Sequence, residues 1–241
     1  GSCMVNMLVL AVADLLTPQV RILTRVVIDQ ALAGILAIIV LALAALGVVT
    51  GSALTVGGVG WATVLIGIVY IWGAWLLHVT RQARVLPVPV ESPTRPLADL
   101  VPSVARFGVA ALVLIGAAWF LIGSAERLVS GLGVTKGFFG ITVLALVTSL
   151  PEIVVSLAGI RAGSYDLVVG NLLGSNAFNM VILSVLDLAD GSGPLLALAE
   201  PGVLVSNLFA IVLTGLVVLG TLTQAEPRAR FLDPGALPVV V

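Results

Sequence analysis

Residues 140–152 read GITVLALVTSLPE, and residues 165–180 read YDLVVGNLLGSNAFNM. A carboxylate inside an apolar span costs about 2.5–3.5 kcal/mol on insertion, so Glu152 is expected to face a partner or a wet cavity. Pro151 removes a backbone donor and thereby frees carbonyl oxygens one turn earlier. These carbonyls, the hydroxyls of Thr148 and Ser149 and one carboxylate form a set of hard oxygen ligands that suits Ca²⁺ or Na⁺.

The composition around these stretches is that of a polytopic membrane protein. Apolar residues make up 60% of the chain and charged residues 10%, with a mean hydropathy of +1.23. Soluble domains carry about 25% charged residues, so we expect the lipid bilayer to be the solvent. The net charge of −1 gives no reason to expect nucleic-acid binding. The single cysteine, Cys3, excludes an internal disulfide and a multi-cysteine metal site.

Hydropathy predicts seven helices, since a membrane span needs about 20 apolar residues. They cover 4–16, 27–49, 58–78, 104–125, 138–160, 166–187 and 201–222. The first is short, and the last apolar stretch, 231–241, is too short to span, so we expect the chain to be a fragment that lacks N-terminal helices.

A charged, proline-rich linker is predicted at 79–103, between a first half at 1–78 and a second half at 104–241. Of the eleven basic residues, nine fall on the side of this linker and two on the other. This bias predicts that the linker is cytoplasmic.

The beginning of the chain repeats part of the second stretch quoted above. Residues 1–15 (GSCMVNMLVLAVADL) and 174–188 (GSNAFNMVILSVLDL) are identical at eight of fifteen positions without a gap. An alternative is that Gly1 and Ser2 are a cloning scar. The two copies lie on the first and the sixth predicted helix, five helices apart, and because this number is odd the second copy is predicted to be inverted. Inverted repeats with broken helices are typical of secondary transporters.

These motifs resemble a known family. Residues 148–152 (TSLPE), followed by Gly170-Asn171 and GSNAFN at 174–179, resemble the second alpha repeat of the sodium/calcium exchanger family, within the cation/calcium antiporter superfamily. Residues 1–7 resemble the end of the first alpha repeat. The resemblance implies an all-α, inverted-repeat exchanger fold of ten helices with discontinuous helices, of which this chain would hold seven and a stub of another.

The resemblance also implies a set of cation ligands and a mobile helix. The implied ligands are Thr148, Ser149, Glu152, the carbonyl of Ala145, Ser175 and Asn179, with Ser2 and Asn6 as first-repeat counterparts. The helix at 104–125 would slide over the core. Some family members carry Asp at the position of Asn179, and the proton-coupled branch carries Glu near Gly174. Both departures favour sodium over potassium or proton coupling.

Structural roles remain open alternatives for several of these residues. Thr148 and Ser149 could hydrogen-bond to carbonyls one turn earlier, and Asn179 could hydrogen-bond between helices. Asn171 and Asn176 could be ligands or could pair with the backbone of the broken helix. Gly170-x-x-x-Gly174 predicts close helix packing together with a helix break, and Asp187 is predicted to lie at the membrane interface.

The function expected from these patterns is antiport in a cell membrane. We expect the protein to exchange Na⁺ for Ca²⁺ by alternating access, with the ions as its substrates, no other cofactor and no enzymatic activity. Two alternatives stay open. One is a proton-coupled calcium or cation antiporter on the same fold, and the other is a truncated membrane fragment without transport activity.

Overall fold

A computed structural model describes residues 1–16, 28–51, 54–84, 100–132, 136–191 and 193–222. In chain order the elements are α1 Ser2–Leu16, α2 Ile28–Thr50, β1 Thr55–Val56, β2 Val59–Gly60, α3 Trp61–Arg84, α4 Leu100–Leu132, α5 Lys136–Phe139, a π-helical turn Gly140–Leu144, α6 Ala145–Thr148, α7 Leu150–Arg161, α8 Tyr165–Asp190, a 3-10 helix Leu195–Leu198 and α9 Pro201–Leu222.

The described residues form an all-α polytopic membrane protein, as predicted. Five helices (α2, α3, α4, α8 and α9) are long and apolar enough to cross a bilayer. Two further helical segments, 140–148 and 150–161, meet at an angle of 46° and together are long and apolar enough for a sixth span. Each of the seven predicted helical segments is helical in the structure, with differences at their ends and with a break inside 138–160.

The ends of the predicted linker are helical. Helix α3 continues to Arg84, and α4 begins at Leu100, so the segment between them is shorter than the predicted 79–103. Residues 85–99 lie outside the described residues, as does the apolar stretch 231–241. The cytoplasmic location of the linker therefore stays a prediction.

Helix α1 shows how the apolar sequence is divided between core and lipid. Met7, Leu10 and Ala13 recur every three residues and are buried against α8 and α9. Leu8 and Leu15 lie on the other side of the helix and are 62% and 77% exposed. Helix α1 thus has one side packed against α8 and α9 and one apolar side that no other described residue covers.

Helices α2, α3, α8 and α9 form the densest part of the molecule, with α2 packed against the other three. Helix α4 contrasts with them, because no residue of its apolar window Val104–Leu121 is buried. Trp119 and Phe120 on this helix are 83% and 77% exposed. The sliding of α4 stays a prediction, and few contacts with the other described helices oppose it.

Asp187 fixes the end of α8, where the sequence predicts an interfacial carboxylate. It does lie near the helix end, but it is fully buried. Its two oxygens accept hydrogen bonds from the backbone N–H of Gly60 (2.9 Å), the backbone N–H of Leu195 (2.6 Å) and the hydroxyl of Thr63. The carboxylate thus joins α8 to the start of α3 and to the 3-10 helix.

Candidate functional site

The sixth span is broken at Ser149. This residue has φ −92° and ψ 2°, and it separates α6 from α7. Pro151 follows in the first turn of α7, where proline is tolerated because the first N–H groups of a helix have no partner within it. The predicted discontinuous helix is confirmed, and its break coincides with the Thr-Ser-Leu-Pro-Glu motif.

Glu152 lies in the first turn of α7 and contacts the neighbouring helix. Its Oε1 accepts a hydrogen bond of 2.6 Å from the hydroxyl of Ser175 on α8. Its other oxygen, Oε2, is buried without a hydrogen-bond partner among the described residues. Both side chains line an open cleft of about 460 Å³, together with Tyr70, Pro151, Val155, Gly170, Asn171, Gly174 and Phe178.

Thr148 meets the first repeat. Its Oγ1 lies 2.9 Å from the Oγ of Ser2 and 2.8 Å from the carbonyl oxygen of Leu144. Either hydroxyl can be the donor in the bond between Ser2 and Thr148. The close approach depends on Gly1, since a Cβ there would lie 2.7 Å from the carbonyl oxygen of Ile141. Thr148 therefore hydrogen-bonds to a carbonyl one turn earlier, as the structural alternative predicts, and it also contacts Ser2 of the first repeat.

Asparagines and Cys3 connect α1 with α8. The Nδ2 of Asn6 donates to Oδ1 of Asn176 (2.9 Å), and the Nδ2 of Asn176 donates to the carbonyl of Cys3 (3.3 Å). Asn179 approaches the sulfur of Cys3 at 3.9 Å. Cys3 thus meets Asn179, whereas Asn6 meets Asn176, so the residue numbers run in opposite directions along the two helices. This is the antiparallel arrangement that inverted copies predict.

The predicted ligands fall into three contact groups on helices that pack against one another. Helix α1 contacts α6, α7 and α8, and α7 contacts α8. The groups are Ser2 with Thr148, Ser175 with Glu152, and Asn6 and Asn179 with Asn176 and Cys3. The Ala145 carbonyl accepts bonds from the Ser149 N–H (3.1 Å) and the Thr148 hydroxyl (3.2 Å), so its role as a ligand stays a prediction.

Several predicted ligands keep a buried oxygen atom that has no partner. Six side-chain atoms of the described residues are buried without a hydrogen bond, and three of them are Asn6 Oδ1, Ser149 Oγ and Glu152 Oε2. Asn6 and Ser149 are 0% exposed. An unpaired buried polar group costs about 1–3 kcal/mol, so such oxygens mark a place where a ligand would be stabilised.

Some features of the site were not predicted. Tyr70 of α3 lines the cleft and contacts Phe178, with ring centroids 6.2 Å apart. No sequence signal marks it, because α3 reads as an ordinary apolar span. Asn176 is positioned by Cys3, which stands at the equivalent place in the first repeat. The predicted break at Gly170 and Gly174 was wrong, since α8 is one continuous helix.

The structure shows a polytopic membrane protein with a broken helix and with hydroxyl, amide and carboxylate side chains beside the break. A family model described as sodium/calcium exchanger protein matches residues 102–231, more than half of the chain. The chain therefore belongs to the sodium/calcium exchanger protein family.

Three curated relatives match shorter parts of the chain. It is 36% identical over 76 residues to the inner membrane protein YrbG of Escherichia coli (strain K12), which covers 32% of this chain and 23% of YrbG. It is 40% identical over 92 residues to the "Putative antiporter CaxA" of Alkalimonas amylolytica, and this match covers 38% of this chain and 26% of CaxA. It is 41% identical over 64 residues to the uncharacterized membrane protein MJ0091 of Methanocaldococcus jannaschii, and this match covers 27% of this chain and 21% of MJ0091. The matches thus span about a quarter of each relative, and no solved structure matches the chain.

Proposed function

We propose that the protein is a secondary antiporter that exchanges Na⁺ for Ca²⁺ by alternating access. The observation that carries this proposal is the set of buried, unpartnered oxygens on Asn6, Ser149 and Glu152 beside a helix break. Membership of the sodium/calcium exchanger family and the similarity to CaxA, whose name describes an antiporter, support it.

The donor set favours hard cations. Carboxylate, hydroxyl and amide oxygens are the ligands that Ca²⁺ and Na⁺ take in proteins. No group of three or more His, Cys, Asp or Glu side chains occurs in the described part of the chain, so a softer, nitrogen- or sulfur-rich metal site has no basis there. The ligands of the proposed site are Ala145, Thr148, Ser149, Glu152, Ser175 and Asn179, with Ser2 and Asn6 from the first repeat.

Exchange follows if the two ions compete for the same oxygens. Glu152 supplies one negative charge, and a carboxylate from the other repeat would supply a second. Two carboxylates can neutralise one Ca²⁺ or leave room for monovalent ions, so the occupancy of the site by one kind of ion excludes the other. Movement of α4 relative to the other helices would then expose the occupied site to either side of the membrane.

Sodium rather than proton coupling is favoured by two positions in α8. Asn179 is neutral where some family members carry a carboxylate, and Gly174 stands near the position of the glutamate in the proton-coupled branch. A site with fewer titratable groups has fewer places to carry a proton. We expect the protein to lie in the cell membrane as a multi-pass protein with its 79–103 linker in the cytoplasm.

The test is ⁴⁵Ca²⁺ uptake into vesicles that contain the full-length protein, with either an outward Na⁺ gradient or a pH gradient as the driving force. We expect uptake that depends on the Na⁺ gradient. Uptake that follows the pH gradient alone would assign the protein to the proton-coupled branch. The absence of uptake with both gradients would support the remaining alternative, a membrane fragment without transport activity.

A further inference from the structure

The cleft holds two unpaired polar atoms of opposite kind. The Nδ2 of Asn171 is a buried hydrogen-bond donor, and the Oε2 of Glu152 is a buried acceptor. Neither atom forms a hydrogen bond to any described residue, and both side chains line the same cleft. Each unpaired atom carries a cost, and a hydrogen bond between the two would remove both costs at once.

Ser175 relates the two groups to each other. Its hydroxyl donates to Oε1 of Glu152, so this carboxylate already contacts α8. Asn171 precedes Ser175 by four residues and therefore lies on the same side of α8, about 6 Å away along the helix axis. Both Glu152 and Asn171 are half-buried and line an open cleft. Rotation of their side chains, without movement of a helix, is therefore the change that would bring Nδ2 to Oε2.

Asn171 and the helix break lie on opposite sides of Glu152. Helices α7 and α8 run antiparallel, since only three residues connect them and the two helices pack together. Asn171 is nearer to this connection than Ser175 is. The break at Ser149 precedes Glu152 by three residues and lies farther from the connection. A carboxylate whose Oε2 turns to Asn171 therefore turns away from the break, where the Oγ of Ser149 is also unpaired.

We propose that Asn171 is a positioning residue that donates a hydrogen bond to Oε2 of Glu152 when no cation is bound, and that a cation must displace this bond to bind. The bond stabilises the empty site, which would otherwise keep a buried carboxylate oxygen without a partner. It also weakens cation binding, because only the fraction of sites with a free Oε2 is competent to bind. This inference rests on the proposed function, in which Glu152 is a cation ligand.

The direction of the change in affinity separates this role from others. Asn171→Leu removes the donor and keeps a side chain of similar size, so we expect the Kd for Ca²⁺ to fall roughly threefold to tenfold. Loss of a ligand or damage to the site would raise the Kd instead. Asn171→Gln keeps an amide donor, and the open cleft leaves room for the longer side chain. For this variant we expect a Kd within roughly twofold of the wild-type value.

The experiment is a calorimetric Ca²⁺ titration of the purified full-length protein for wild type, both Asn171 variants and Asn207→Leu. Asn207 is a matched control, since it is a half-buried amide on α9 that bonds to the carbonyl of Leu41 and does not line the cleft. We expect the wild-type Kd for this control. An unchanged or raised Kd in Asn171→Leu, or a Kd lowered equally in Asn171→Gln, would overturn the inference.

A parallel measurement of Na⁺-driven ⁴⁵Ca²⁺ uptake by the wild type keeps this inference distinct from the proposed function. If the wild type binds Ca²⁺ but does not exchange it for Na⁺, the proposed antiport fails, and the comparison of Kd values still decides the role of Asn171. If the wild type exchanges the ions and Asn171→Leu does not bind Ca²⁺ more tightly, only this inference fails. A wild type that binds no Ca²⁺ would overturn both.

Discussion

Replacing Glu152 by glutamine removes the one charge among the proposed ligands of this chain while it preserves the length of the side chain. The hydrogen bond from Ser175 can persist on the remaining carbonyl oxygen, so the main loss is at Oε2, the buried oxygen without a partner. Removing one partner of a buried charge pair costs about 3–5 kcal/mol. Because Glu152 is only half-buried, we take about 3 kcal/mol, which corresponds to a roughly 100-fold weaker affinity for Ca²⁺.

The assay is the initial rate of Na⁺-driven ⁴⁵Ca²⁺ uptake as a function of Ca²⁺ concentration. Glu200→Gln is the matched control, because Glu200 is an exposed carboxylate next to the start of α9 and lies outside the cleft. We expect wild-type uptake for the control and a strongly raised half-saturating concentration for Glu152→Gln. The reasoning is refuted if the two variants take up Ca²⁺ with the same concentration dependence.

Three further substitutions test parts of the structure. Ser175→Ala removes the hydroxyl that donates to the α7 carboxylate and should weaken Ca²⁺ affinity roughly threefold to tenfold, as measured by uptake. Asp187→Asn replaces one of the two accepting oxygens by an NH₂ group and leaves at least one backbone N–H unsatisfied, which should cost about 1–3 kcal/mol of stability, seen as a lower melting temperature in detergent. Gly34→Ala would place a methyl group against the side chain of Val218, and this overpacking should cost about 1–3 kcal/mol of stability, again seen as a lower melting temperature. Its control is Gly116→Ala on α4, where the added methyl group meets open space and should not destabilise the protein.

Each of these predictions has an outcome that contradicts it. Ser175→Ala with wild-type affinity would show that its hydroxyl does not contribute to cation binding. Asp187→Asn should leave Ca²⁺ affinity unchanged, since its partners lie at the other end of α8 from the cleft. If affinity falls while the melting temperature does not, the structural role given to Asp187 is wrong. Equal melting temperatures for the two glycine variants would contradict the close packing of α2 with α9.

The broken helix could be predicted because its cause is local. A proline has no N–H group, so Pro151 interrupts the backbone hydrogen bonding of an apolar span. The hydroxyls and the carboxylate around it are costly to place in lipid, so they indicate a polar site within the protein. The antiparallel approach of α1 and α8 followed from the repeated sequence and the number of helices between the copies. These features depend on short-range sequence or on symmetry.

Other features depend on contacts between distant residues and could not be predicted. Asp187 reads as interfacial because it ends an apolar span, and only the fold brings Gly60 and Thr63 of a distant segment to it. The hairpin at 55–60 overlaps the start of the predicted helix 58–78, because hydropathy alone does not distinguish an apolar turn from a helix. Gly57 and Gly58 both have positive φ there, the conformation of a tight hairpin turn.

The central claim is that Ca²⁺ and Na⁺ share one site built around Glu152. The most direct test is a calorimetric Ca²⁺ titration of the purified full-length protein at increasing Na⁺ concentration, with ionic strength held constant by choline chloride. Competition predicts that the apparent Kd for Ca²⁺ rises with Na⁺ in the wild type and that Glu152→Gln shows no Ca²⁺ binding in this range. An apparent Kd for Ca²⁺ that does not change with Na⁺, or a Kd in Glu152→Gln equal to that of the wild type, would contradict the account.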